Sequence, residues 1–204
     1  MFNHSLLRTA TAGITTVALA LLAACGTTEP SATEPVARLS SGSDDPMFLT
    51  APTGTAPTGI VYFWAKQGED RTGEIFAVGG TSGGNGDRLV RLRVRKDAQI
   101  ILPNGVHLAK GDSVRISMQI IDPVTLVTQF EPSGLVFAGK KVAQLTMWYG
   151  RTNAGGTTSL ERQLSIFRQE SSIEPWDKVS SVVLTDTDEV QSYIGGFTNY
   201  VIAY

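Results

Sequence analysis

The chain has 204 residues, with 17 Lys and Arg against 19 Asp and Glu, two His and a single Cys. So balanced a charge leaves no footprint for nucleic acid, which calls for a basic domain. One cysteine excludes an internal disulfide framework, and with two histidines it excludes a zinc site built from several His or Cys ligands. No cofactor is expected.

Met1 to Arg8 carries one basic side chain, and Thr9 to Ala24 follows with sixteen uncharged residues. That order is the n-region and h-region of a secretory signal. The uncharged run is shorter than the roughly 20 apolar residues a membrane-crossing helix needs, which makes a retained span the weaker reading. It ends on Leu22-Ala23-Ala24-Cys25, which resembles the lipobox of bacterial lipoproteins. The resemblance implies that the Cys25 thiol is alkylated with diacylglycerol and the chain cut before it. The first partner is then the lipid bilayer, and each buried methylene of the acyl chains adds about 0.8 kcal/mol. Gly26 stands where Asp would mark retention in an inner membrane, so the resemblance implies an outer membrane in a cell that has one. With Arg8 removed, 16 basic residues face 19 acidic ones, a formal charge of −3.

Residues 26–59 hold five of the nine prolines and almost no large apolar side chains, the composition of a disordered tether. A flexible chain of that length spans on the order of 30 Å. Its one apolar cluster, Met47-Phe48-Leu49, is expected to dock as an extra edge strand if it docks at all. The expected organisation is a signal over 1–24, lipidated Cys25 and tether over 25–59, and one globular domain over 60–204.

In that domain the dominant period is two. Val90, Leu92 and Val94 alternate with Arg91, Arg93 and Arg95; Val114, Ile116, Met118 and Ile120 alternate with Ser113, Arg115, Ser117 and Gln119. Ala143, Leu145, Met147 and Tyr149 alternate with Gln144, Thr146 and Trp148. Further strands are expected at 60–66, 74–78, 98–102, 125–130, 160–168, 179–185, 190–194 and 199–204. Gly, Pro, Asn and Asp clusters separate them, and no mature segment of a dozen residues holds a clean helical stripe. The fold class is all-β, an antiparallel β-sandwich.

The densest basic group is Arg88, Arg91, Arg93, Arg95 and Lys96. On a strand, Arg91, Arg93 and Arg95 share one face, suited to an anionic partner or to solvation of an aggregation-resistant sheet. Asp186, Asp188 and Glu189 are the densest acidic group, a candidate calcium site that lacks the Gly and distal Glu of an EF-hand. The run Gly79 to Asp87 lacks the Gly-Lys-Ser/Thr ending of a P-loop and precedes a strand, so it reads as a hairpin loop. His107 has no nucleophile motif beside it. Trp64, Trp148, Trp176, Tyr62 and Tyr149 offer either stacking surfaces for sugars or packing.

The run Phe130-Glu131-Pro132-Ser133-Gly134-Leu135-Val136-Phe137 resembles the Phe-x-Pro-x-Gly-Leu-x-Phe signature of ZU5-like β-sandwich domains. Pro103-Asn104-Gly105 and Gly196 to Ala203 are similar to that family's turn and final strand. Pro132 cannot continue a ladder, Gly134 can take positive φ, and Leu135 with Phe137 would re-enter the core from the corner. Some relatives cleave themselves at a His-Phe-Ser; here Gly196-Phe197-Thr198 lacks the histidine, and an intact chain is expected. The function expected is a membrane-anchored, non-enzymatic binding or structural module meeting an envelope protein or polysaccharide. The alternatives are a carboxylate-dependent hydrolase of envelope carbohydrate, or a subunit of a surface assembly.

Overall fold

The computed structural model of the chain describes residues 45–79 and 88–204. Cys25 and the signal lie outside the described residues, as do 80–87 of the glycine-rich loop. The strands run in the order β1 (Val61–Lys66), β2 (Arg71–Phe76), β3 (Arg88–Val94), β4 (Gln99–Ile101), β5 (Ser113–Asp122), β6 (Val127–Glu131), β7 (Val136–Ala138), β8 (Ala143–Trp148), β9 (Ser165–Gln169), β10 (Asp177–Val179), β11 (Ser181–Leu184), β12 (Glu189–Tyr193) and β13 (Asn199–Ala203). One four-residue helix, α1 (Thr158–Glu161), precedes β9. A six-stranded sheet has the order β1-β5-β6-β13-β9-β10, a five-stranded sheet the order β11-β12-β8-β3-β2, and β4 and β7 form a two-stranded sheet. Every strand pairing among the described residues is antiparallel, and the two large sheets close on one core, the sandwich that period two implies.

The alternation does the sorting. The core takes Ile116 and Met118 from β5, Val90, Leu92 and Val94 from β3, and Ala143, Leu145 and Met147 from β8. Each of these Val, Leu, Ile and Met side chains stabilises the fold by about 1.5–3 kcal/mol relative to exposure. At Gly73 in β2 the inward position must stay empty: a Cβ there would lie 2.3 Å from the Phe63 ring and 2.8 Å from Met118 Sδ. The corner between β1 and β2 closes because that side chain is missing.

Two expected strands are divided. In 160–168, α1 occupies the start; the Glu161 carboxylate turns back to accept the Gly156 N–H at 3.1 Å, and only Ser165–Gln169 is extended. The run 179–185 crosses from one sheet to the other at Ser180. Hydroxyls serve the backbone groups freed at that corner: Ser181 Oγ accepts the Ile166 N–H at 3.0 Å, and Ser192 Oγ donates to the Ser180 carbonyl at 2.8 Å. The motif at 130–137 turns its corner as expected, with Gly134 at φ 78° and Leu135 and Phe137 buried. Phe137 also belongs to β7, a strand the periodicity did not separate from the motif. The rings of Phe130, Phe137, Phe197 and Tyr200 meet there at centroid distances of 5.2 to 5.7 Å.

The expectation that the tether reaches residue 59 is corrected, because 47–56 packs on the sandwich. Met47 N–H donates to the Tyr204 carbonyl at 3.0 Å, Tyr204 N–H donates back at 3.1 Å, and Phe48 bridges Ala203. Leu49 is 2% exposed, and Thr55 and Ala56 are buried. The apolar triplet therefore docks in line with β6 alongside β13, within the sheet and not at its edge. Composition averaged over 34 residues hides three apolar side chains that find an open stretch of β13.

Candidate functional site

Strand β3 turns Arg91 and Arg93 to the outward face of the five-stranded sheet, Arg91 between Glu74 and Thr146, Arg93 between Thr72 and Gln144. The guanidinium of Arg91 lies 5.2 Å from the Trp148 ring centroid and that of Arg88 5.1 Å from it, so two cations roof an indole that is only 5% exposed. Arg88 Nε also sits 2.9 Å from Glu74 Oε1, an ion pair whose N–H is not aligned for a hydrogen bond. Arg93 Nη2 meets Asp70 Oδ2 at 2.7 Å, and the Lys96 N–H meets the other Asp70 oxygen at 2.7 Å. The Arg93 hydrogen bond, with that of Lys96, holds the Asp70 carboxyl below its ordinary range. Arg95 lies 3.4 Å from Asp97. The expected anionic-partner stripe is thus a set of partnered cations: an anion would compete with Asp70 and Asp97 and lift Arg91 from Trp148. Exposed pairs hold weakly, so they soften the stripe without abolishing it.

Further along this face Gln144 Nε2 donates to Gln191 Oε1 at 2.9 Å, and Gln191 Nε2 donates to Glu189 Oε2 at 2.6 Å. Glu189 does not line the cavity that holds Asp186 and Asp188. Those two aspartates line a cavity of about 210 Å³ with Arg88, Trp148 and Gly150, and among the described residues no three His, Cys, Asp or Glu side chains gather to hold a metal ion.

The remaining candidates are dispersed. His107 is exposed at an isolated bridge to Ile101. Thr198 is buried and its hydroxyl donates to the Gln169 carbonyl oxygen. The aromatic side chains separate by environment: Trp148 and Tyr149 are buried, and Trp176 packs edge-on against Phe48 at 5.4 Å. Tyr62 and Trp64 stand outward from edge strand β1 at 52% and 59% exposed. Beside them lies a feature that sequence reasoning missed, four amide side chains brought into one row by register, Gln119, Gln129, Asn199 and Gln169. Their outward alternation was readable; their adjacency was not.

Among the described residues no helix is long and apolar enough to cross a membrane. No family model, no curated protein and no solved structure matches this chain. The likeness to ZU5-like domains rests on residues 130–137, with the turn at 103–105 and the final strand at 196–203.

Proposed function

We propose that the chain is a bacterial envelope lipoprotein, held on a membrane through acylated Cys25, whose sandwich binds or supports another envelope component without catalysis. The observation that carries this reading is Leu22-Ala23-Ala24-Cys25: the chain's one thiol ends an uncharged run and stands 20 residues ahead of Asp45, the first described residue of the sandwich. Two or three acyl chains hold a protein stably where one does so marginally. Gly26 favours the outer membrane. Residues 26–44 then form the lead from lipid to sandwich, shorter than a tether ending at 59. The outward Arg91 and Arg93 of β3 and the exposed rings of Tyr62 and Trp64 are surfaces that support binding.

The test is metabolic labelling with a fatty acid in a bacterial host. The wild-type chain is expected to take up label and migrate as the processed form, and Cys25→Ala to remain unlabelled and uncut. Label persisting on Cys25→Ala would overturn the anchor.

A further inference from the structure

We propose that the uncovered half of the outward face of the six-stranded sheet binds an uncharged polysaccharide. Alternation and register lay three outward rows across this face: Trp64 beside Arg115; Tyr62 beside Ser117 and Glu131; and Gln119, Gln129, Asn199 and Gln169 in line. Rows two residues apart are about 6.7 Å apart and the four-amide row spans about 14 Å, the scale of a few sugar rings. The other half of the face is closed by Phe48 and Trp176, packed against Val127, Phe167 and Val201. Where the amide row stays open, a cavity of about 330 Å³ is walled by Gln129, Glu131, Ser133, Ser171, Ser172 and Asn199.

The chemistry selects the occupant. Pyranose rings present apolar C–H faces, which stack on aromatic rings, and a rim of hydroxyls that both donate and accept. Trp64 and Tyr62 supply the rings, and the Arg115 guanidinium 4.8 Å from the Tyr62 centroid fixes the second of them. The four amides and three serines supply uncharged donors and acceptors, with Gln169 Nε2 already donating to the Glu174 carbonyl at 2.8 Å. Glu131 borders the cavity and would repel an acidic glycan or an anionic lipid surface, while Glu170, also at its border, is paired with Arg168 at 3.2 Å. A bilayer would also strip water from the amide row and offer few partners in return, a cost that sugar hydroxyls do not impose. This inference rests on reading the domain as a binding module, not on the lipid: fatty-acid labelling at Cys25 and glycan binding can fail independently.

Native electrophoresis of the full chain in mild detergent, through gels containing galactomannan, xyloglucan or mixed-linkage β-glucan, tests it, with polygalacturonate as the acidic comparison. Retardation is expected in at least one neutral gel and not in polygalacturonate. Trp64→Ala, and separately the pair Gln129→Ala with Asn199→Ala, should weaken it at least about tenfold, while Val182→Ala on the other sheet leaves it unchanged. Near-ultraviolet circular dichroism confirms that each variant is folded. The proposal is overturned by free migration in all three neutral gels, by retardation indifferent to Trp64, or by tighter binding to polygalacturonate. It is equally overturned by Trp64-dependent quenching with vesicles of brominated phosphatidylglycerol, which would place the face on a membrane, or by shortening of the polymer, which would make the site hydrolytic.

Discussion

Tyr149 follows β8 with a fully buried ring and a hydroxyl that has no hydrogen-bond partner among the described residues. Burial pushes its pKa up to about 12, and the carboxylates of Glu161 and Asp188 push the same way. Because the folded state holds the neutral phenol more tightly than the unfolded state does, that stability is whole below about pH 10 and is lost as pH rises towards 12. Tyr200 is raised as well, chiefly by burial, and its hydroxyl donates to the Gly196 carbonyl at 2.7 Å. Urea unfolding across pH 7 to 12 should therefore show alkaline loss in the wild type and a smaller loss in Tyr149→Phe, with Tyr200 sustaining the remainder. At pH 7 the variant should lie within about 1 kcal/mol of wild type, since no hydrogen bond is removed. An unchanged alkaline loss in Tyr149→Phe would place the titration elsewhere. The burial of Tyr149 was legible in the alternation of 143–149; its orphan hydroxyl was not, because that depends on what faces it from other strands.

At the scale of elements, the segment 45–56 is where composition and packing disagree most. Its prolines and small residues read as tether, yet Leu49 enters the main core and Phe48 covers the second cluster on the outward sheet face. Leu49→Ala in the full chain should cost about 2–4 kcal/mol, as cavity-forming substitutions do. Met47→Ala, at a side chain 61% exposed, should cost almost nothing. Urea midpoints of the two variants decide it, because a solvated tether would make both neutral. The division of 179–185 into β10 and β11 has the same origin. A run of β-formers states that the chain is extended, while the change of sheet at Ser180 is made by the hydroxyls of Ser181 and Ser192, which have no periodic signature. The 130–137 corner was legible because proline and glycine impose their geometry locally.

For the whole molecule the informative fact is the position of the last strand. β13 lies between β6 and β9, inside the six-stranded sheet, and sends Tyr200 and Ile202 into the core shared with the five-stranded sheet. A chain ended after Thr198 loses both ladders and the partner of Met47-Phe48-Leu49. Two-state behaviour of a single core then predicts that both sheets are lost together. Circular dichroism of that truncation should show no cooperative thermal transition. A persisting near-ultraviolet signal from Trp148, which lies on the other sheet, would show that the five-stranded sheet stands alone.

What the sequence by itself determined is local: the charge balance, the uncharged run before Cys25, the alternation that makes this an all-β sandwich, and the corner at 130–137. Each follows from chain geometry over a few residues, where the pleat alone decides which side chains share a face. The tertiary structure alone decided which faces stay open. It paired Arg93 with Asp70, roofed Trp148 with Arg88 and Arg91, left Trp64 and Tyr62 uncovered, and drew Gln119, Gln129, Asn199 and Gln169 into one row. Those relations depend on strand order and register between segments as far apart as residues 119 and 199. No local period encodes them, because contacts that distant are set by how all the strands bury their apolar sides at once.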